Sequence, residues 1–295
     1  MKKKDSANSV IVKKNAPMRE LPVGTSDFID IRKCGDYYAD KTKFLYKLVK
    51  RRRPFFLSRP RRFGKTLLVS SLECLLRGKR ELFKGLWIDQ SDYDWTSYPV
   101  IRLEMNKAIG DDIAEVEKKL SNMLLFAAKL AGIKLEKDDP ADMLSWLILE
   151  FFVNHGQKEK VAILIDEYDA PIVERLVDPP LAEKIRVALR KFYGRLKTNS
   201  EMIGHIFITG VSRFTQTSIF SELNNLKDLT FNRKYAAICG LTAADLEDLL
   251  SDREERTLEL LIEEGYLPLG SDGRDLRRTI QDWYDGYTWD GKTRV

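Results

Sequence analysis

The chain has 295 residues, 43% hydrophobic and 32% charged, with 50 Lys/Arg against 45 Asp/Glu. That length and balance describe a soluble globular protein of one large or two ordinary domains, with enough apolar residues for a sizeable core. Its apolar runs are too short to span a bilayer, and no apolar segment or cleavage site follows the basic start, so neither a membrane span nor a secretory signal is expected. Three widely spaced cysteines, Cys34, Cys74 and Cys239, are expected as reduced core thiols of a cytoplasmic protein, not a disulfide framework or a metal cluster. The charge is uneven: residues 1–65 hold 19 Lys/Arg against 6 Asp/Glu, and the remainder holds 31 against 39. A basic front of this kind either faces nucleic acid or another acidic partner, or is a solvated arm followed by a phosphate-binding loop; the second reading is the simpler.

Residues 1–18 lack periodicity and are rich in Lys, Ser and Asn, which predicts a disordered basic arm. A turn-rich entry, Pro22-Val-Gly-Thr-Ser-Asp-Phe28, leads to Tyr37-Tyr-Ala-Asp-Lys-Thr42. A short helical pattern (Phe44, Leu45, Leu48, Val49) then runs to Pro54. Residues 54–57 read as a buried strand broken at Pro60. From Gly64-Lys65-Thr66 a helical pattern begins, with Leu68, Leu72, Leu75 and Leu76 on one face and Gly78 as its stop. Strand, tight loop and helix in this order form a phosphate-binding arrangement. Free N–H groups at the helix start and the helix dipole favour an anion. Lys65 is placed to reach terminal phosphates and the Thr66 hydroxyl to ligate magnesium. The loop is taken as residues Arg59, Pro60, Arg61, Arg62, Phe63, Gly64, Lys65, Thr66 and Leu67. Arg59 stands where the usual G-x-x-x-x-G-K-[ST] pattern has its first glycine, a strained position if its φ is positive, and Arg59, Arg61 and Arg62 set three cations beside the phosphates.

Residues 79–97 read as an aromatic-rich loop and 99–105 as a second strand. An amphipathic helix follows over 111–130 (Ile113, Val116, Leu120, Met123, Leu124), closed by Gly132. Another begins at Asp139-Pro140, is buried through Met143, Leu144, Leu147, Ile148 and Phe151, and ends at His155-Gly156. The run 160–165 is continuously apolar, the mark of a parallel strand covered on both faces, and it ends in Asp166-Glu167-Tyr168-Asp169. Acids at such a strand tip lie in the crevice where open α/β sheets bind ligands. Asp166 fits a magnesium ligand beside Thr66, and Glu167 fits a residue that polarises the attacking water. A helix over 181–196 precedes a second apolar strand, which ends in the polar tip Thr209, Ser212 and Arg213. That tip is placed to sense a terminal phosphate, with Arg213 either contacting it or held in a surface ion pair. Residues 235–239 read as a last strand, Thr242 caps a helix over 245–250, and 253–284 continue as helices. The aromatic, turn-rich close around Tyr287 reads as a truncated end. The two histidines, His155 and His205, argue against a His-centred triad or metal site.

Several of these stretches resemble the bacterial AAA-ATPase-like proteins: Leu21-Pro-Val-Gly-Thr25, Tyr38-Ala-Asp-Lys-Thr42, Ser58-Arg-Pro-Arg-Arg-Phe-Gly-Lys-Thr66 and Leu164-Ile-Asp-Glu-Tyr-Asp169. So do Ile208-Thr-Gly-Val-Ser-Arg-Phe214, Ser218-Ile-Phe-Ser-Glu-Leu-Asn-Asn-Leu226, Ile238-Cys-Gly-Leu-Thr242 and Trp283-Tyr-Asp-Gly-Tyr287. The resemblance covers about residues 20–290, and in that family an arginine at the first-glycine position is usual. It implies an α/β fold, a P-loop NTPase three-layer sandwich with a mostly parallel central sheet, and a smaller C-terminal helical extension. The expected division is a 1–18 arm, a 19–241 ATPase-like domain and a 242–295 extension; the nuclease-like PD-(D/E)XK domain common in the family is absent from this sequence. The expected activity is ATP binding and Mg-dependent hydrolysis driving a conformational switch. Lys65, Glu167 and Arg213 would be catalytic, Thr66 and Asp166 would hold Mg2+, and Ser212 would lie near the nucleotide. Asp40-Lys41-Thr42 is placed at the nucleotide's border. The other reading is a non-catalytic module that binds nucleotide or nucleic acid. In the first reading, an arginine supplied by a neighbouring subunit of a homo-oligomer is the alternative to Arg213.

Overall fold

The computed structural model describes residues 19–213, 219–220, 223, 225–251, 253–283 and 286–291. The basic arm expected over 1–18 lies outside the described residues, as do Phe214, four of the nine positions of the 218–226 motif and the last four positions.

Five strands form one parallel sheet: β1 (Pro54–Ser58), β2 (Val100–Glu104), β3 (Val161–Asp166), β4 (Ile203–Gly210) and β5 (Lys227–Asp228), in the order β2-β3-β4-β1-β5. Parallel neighbours need crossovers, and helices supply them on both faces, so the strands read as apolar runs rather than alternating ones. Phe55, Leu57, Ala162, Leu164 and Phe207 point to one face. There they meet α1 (Phe28–Cys34), α2 (Thr42–Val49) and α3 (Lys65–Leu76). Phe56, Ile163, Ile165, Ile206 and Ile208 point to the other face. They pack on α4 (Ile113–Leu130), α5 (Pro140–Asn154) and α7 (Pro179–Thr198), with the short α6 (Ala170–Val173) leading in. The result is the expected three-layer α/β sandwich. Its helix starts obey simple capping chemistry: Asp112 accepts from the Glu115 amide, and Asp139, followed by Pro140 at the first turn, accepts from the Ala141 amide.

Three expectations are corrected. Residues 235–239 are not a strand; a 3-10 turn, Arg233–Tyr235, opens a buried irregular segment, and the edge strand is the two-residue β5. A short apolar run has no period that separates a strand from other buried backbone, and β5 is polar, fixed only by its pairing with Phe55 and Phe56. Residues 79–97 contain two 3-10 turns, Arg80–Phe83 and Trp87–Gln90, rather than loop alone. Cys34 is exposed, unlike Cys74 and Cys239, because α1 is seven residues long and buries Phe28 and Ile31 instead.

A smaller core around Leu250, Leu267 and Leu276 joins α8 (Ala243–Leu250), α9 (Glu254–Glu263) and α10 (Gly273–Trp283). Thr242 and Asp245 cap α8 reciprocally. Asp245 also takes Lys41 Nζ at 2.5 Å, which ties these helices to the segment before α2. Among the described residues no helix is long and apolar enough to cross a membrane.

A bulge marks the start of β4, where Val161 pairs Ile203 but Ala162 pairs His205, leaving Gly204 over. Burial, and after it the nearby Arg52, lowers the His205 pKa to about 4. A histidine in the unfolded chain titrates near ~6.5. Stability from this group is therefore complete above that pH and is lost as pH falls toward the folded value. Between pH 7 and 4 the protein should lose about 3 kcal/mol that His205→Asn does not, measured by denaturant unfolding of both chains at each pH.

Candidate functional site

Because β3, β4 and β1 are neighbours, their carboxyl ends lie side by side. β1 delivers the chain to the loop, and pairing continues one residue beyond it, the Arg59 amide donating to Gly210 O at 3.1 Å. Arg59 itself does not have positive φ; the left-handed positions of the loop are Arg62 (φ +67°) and Gly64 (φ +81°), which turn the backbone into α3. Helix α3 is anchored by buried Leu68, Val69, Leu72, Leu75 and Leu76, so its first turn is held at the sheet's edge. Lys65 is 4% exposed and folds back, Nζ donating to Pro60 O at 3.0 Å. Burial lowers its pKa below the ordinary lysine value, while the charges of Glu167 and Asp166 oppose that shift. Lys65 and the two acids thus share one electrostatic neighbourhood.

The tips of β3 and β4 are locked together. Buried Asp166 accepts a hydrogen bond from Thr209 Oγ1 through one oxygen, and no donor among the described residues reaches the other. The same Thr209 hydroxyl accepts from the Glu167 amide at 3.2 Å. Glu167 has φ +55°, an uncommon conformation for a non-glycine residue and one that concentrates at functional sites. Burial first, and Asp166 second, raise its carboxyl pKa above the usual value; Lys65 and Arg61 pull it down. Asp169, 1% exposed, accepts from the Ser212 amide at 2.6 Å and the Val211 amide at 3.2 Å. Tyr168 OH donates to Ser212 O at 3.1 Å. The acids at the end of β3 therefore set the backbone at the end of β4. Sequence reasoning counted Thr209 in the phosphate-sensing tip and Asp169 among the acids of the strand end, but it did not foresee that the two lock the strand tips together.

Gly210 makes the lock possible. A Cβ there would fall 2.3 Å from Tyr168 Cε1 and 2.9 Å from Asp169 Oδ1. Both neighbours are buried, and Gly210 pairs with Ser58, so little can move aside. Gly210→Ala should cost about 3 kcal/mol, read as a lower midpoint in thermal or denaturant unfolding.

The predicted cations distribute differently. The Arg59 guanidinium is turned toward β5 and donates to Ser58 O at 2.9 Å and Thr230 O at 2.8 Å. Its pKa is lowered to about 10 by burial, and the face of Trp289 covers it at 4.1 Å. Arg61 pairs with Glu174, Arg62 is exposed, and Arg213 pairs with Asp228 at 2.7 Å while lying over Phe231. The surface ion pair weighed for Arg213 is the arrangement present. Phe63 meets Tyr287 at 4.8 Å and Trp289 at 5.9 Å, both edge-on, so the aromatic close of the sequence packs on the phosphate loop. Asp40 accepts from Thr42 Oγ1 at 2.6 Å and from the Trp87 amide at 2.6 Å, and Lys41 is held by Asp245, so this motif's side chains brace the scaffold.

Magnesium suits the donors at hand. Thr66 and Asp166 offer hard oxygens, and one Asp166 oxygen has no donor among the described residues. No group of three His, Cys, Asp or Glu capable of holding a metal occurs among the described residues, so these two would act with phosphate oxygens and water rather than as an all-protein cage.

A family model described as Predicted AAA-ATPase matches residues 22–220. An Azotobacter chroococcum mcd 1 protein described as "Uncharacterized protein in vnfD 5'region" is 34% identical over 276 residues, covering 93% of this chain and 49% of its own length. The chain thus spans about half of that curated relative. No solved structure matches. With the parallel sheet, the loop at the end of β1 and the acids at the end of β3 in place, the family match over 22–220 settles the kinship: the chain belongs to the AAA-ATPase-like family.

Proposed function

We propose that the chain binds ATP at the β1–α3 loop and hydrolyses it with Mg2+, switching conformation as it does so. One observation carries the reading: Lys65 at the start of α3 and Asp166 and Glu167 at the tip of β3 interact electrostatically at the carboxyl edge of one sheet. The loop amides and Lys65 hold the β- and γ-phosphates. Thr66 and Asp166 would hold the metal ion, which would supply positive charge against the phosphates when bound. Glu167 takes up a proton from the attacking water, and its raised pKa keeps it a competent base nearer neutral pH than a free carboxylate. Thr209 and Asp169 keep both acids and the 211–212 backbone in register, a physical route by which the γ-phosphate's presence reaches the rest of the chain. Release of Arg213 from Asp228 would let it supply charge to the transition state. The division into an ATPase-like unit to residue 241 and a helical extension after it belongs to this proposal, with the Lys41–Asp245 pair as the joint between them.

The test is phosphate release from ATP with and without Mg2+. Wild type should require the metal, and Asp166→Asn should lose on the order of 10²-fold in turnover. Metal-independent release, or an undiminished Asp166→Asn chain, contradicts the proposal.

A further inference from the structure

The opposite edge of the sheet, where the strands begin, has its own cleft of about 280 Å3. The segments entering β1 and β3 bring Arg52, Lys158 and Lys160 to it, against one lining carboxylate, Glu159, and β4 adds Ile203, Gly204 and His205. Tyr98 and His205 line it more deeply. His205 is 6% exposed, and its buried Nε2 has no hydrogen-bond partner among the described residues. Buried polar atoms in folded proteins are nearly always satisfied, because leaving one unpaired is costly.

The cleft is built by unusual backbone. Arg52 is a non-glycine residue at φ +42°, and its Nη2 donates to Tyr98 OH at 3.0 Å. The Tyr98 ring in turn stands edge-on to the His205 imidazole at 4.9 Å. The bulge at Gly204 lets β4 approach Lys160: a Cβ at 204 would lie 3.0 Å from the Lys160 Cβ. Bulges of this kind re-aim side chains beside binding sites, and strained residues gather there. A solvated basic rim would need only the exposed lysines. It gives no reason for a buried imidazole Nε2 without a partner among the described residues, a bulge and a left-handed arginine at one spot.

We propose that this cleft binds a small oxyanion, a compact molecule bearing a phosphate or carboxylate group. Arg52 and Lys160 supply the charge, and the Tyr98 and His205 rings form the inner wall of the cleft. A cleft of about 280 Å3, at the small end of ordinary ligand pockets, suits a compact molecule. Five steps along β4 lead from His205 to Gly210, roughly 17 Å at 3.3 Å per residue, so the cleft and the phosphate loop are separate places.

The chain's two histidines make the experiment simple. Ring 1H–13C spectra are recorded on the Lys65→Ala chain, which removes the loop's lysine, with His155→Gln assigning the signals. Inorganic phosphate is titrated in one arm and succinate in another, at constant ionic strength. The His205 signals should move and saturate at millimolar concentration in at least one arm, which also identifies the preferred oxyanion. Arg52→Gln and, independently, Lys160→Gln should each weaken that binding about tenfold. Shifts that never saturate, or that persist unchanged in both variants, mean an adventitious ion only and overturn the proposal, as does a silent His205.

Discussion

Glu167→Gln should lower ATP turnover on the order of 10²–10⁴-fold, the usual contribution of a positioned base, while Mg-ATP still binds. The substitution keeps the side chain's shape and removes its capacity to take a proton. Its backbone place should survive, because φ +55° is held by the Thr209 hydroxyl on its amide and by the neighbouring Tyr168 amide on Thr209 O at 2.9 Å. The direction of its pKa adds a second signature. Burial and Asp166 raise the carboxyl above the usual glutamate value, so turnover in wild type should climb with pH through that raised value as the base deprotonates. The variant should lack this limb. Steady-state phosphate release across pH, beside equilibrium binding, separates the two effects; unchanged turnover would remove Glu167 from the reaction.

The frame of the fold was legible because it rests on apolar runs. Leu68, Leu72, Leu75 and Leu76 fall on the buried face of α3, and the 160–165 run becomes the fully buried β3. Val116, Leu120 and Leu124 bury one side of α4. The helix α1 and edge strand β5 were not legible: one is brief, the other polar, and tertiary contacts fix both. At the site, the sequence placed Lys65 just past β1 and Asp166 and Glu167 at the tip of β3 by pattern alone, two strand ends with β4 between them. Side-chain partners were beyond it. Nothing in a linear reading says that Arg59 turns toward Thr230, that Arg213 meets Asp228, or that Trp289 returns to lie on Arg59. Asp169 is the instructive case. It follows Glu167 closely and reads as one more acid, yet it caps the backbone at the end of β4 and ties the two strand tips together.

Equilibrium binding of Mg-ATP to wild type beside Lys65→Ala tests the central claim most directly. Lys65 is buried at the start of α3, its nearest bond is to a carbonyl of its own loop, and its charge is countered by Glu167 and Asp166. A phosphate would replace the Pro60 carbonyl as its partner. Losing a hydrogen bond from a charged group costs about 1.5–3 kcal/mol, so affinity should fall about tenfold to a hundredfold. The loop amides and the apolar face of α3 remain, so the variant should unfold at the same denaturant concentration as wild type. Tight binding by wild type and its loss in a well-folded Lys65→Ala is the predicted result. Equal binding by both chains, or none by a folded wild type, would contradict the account of this edge of the sheet as a nucleotide site.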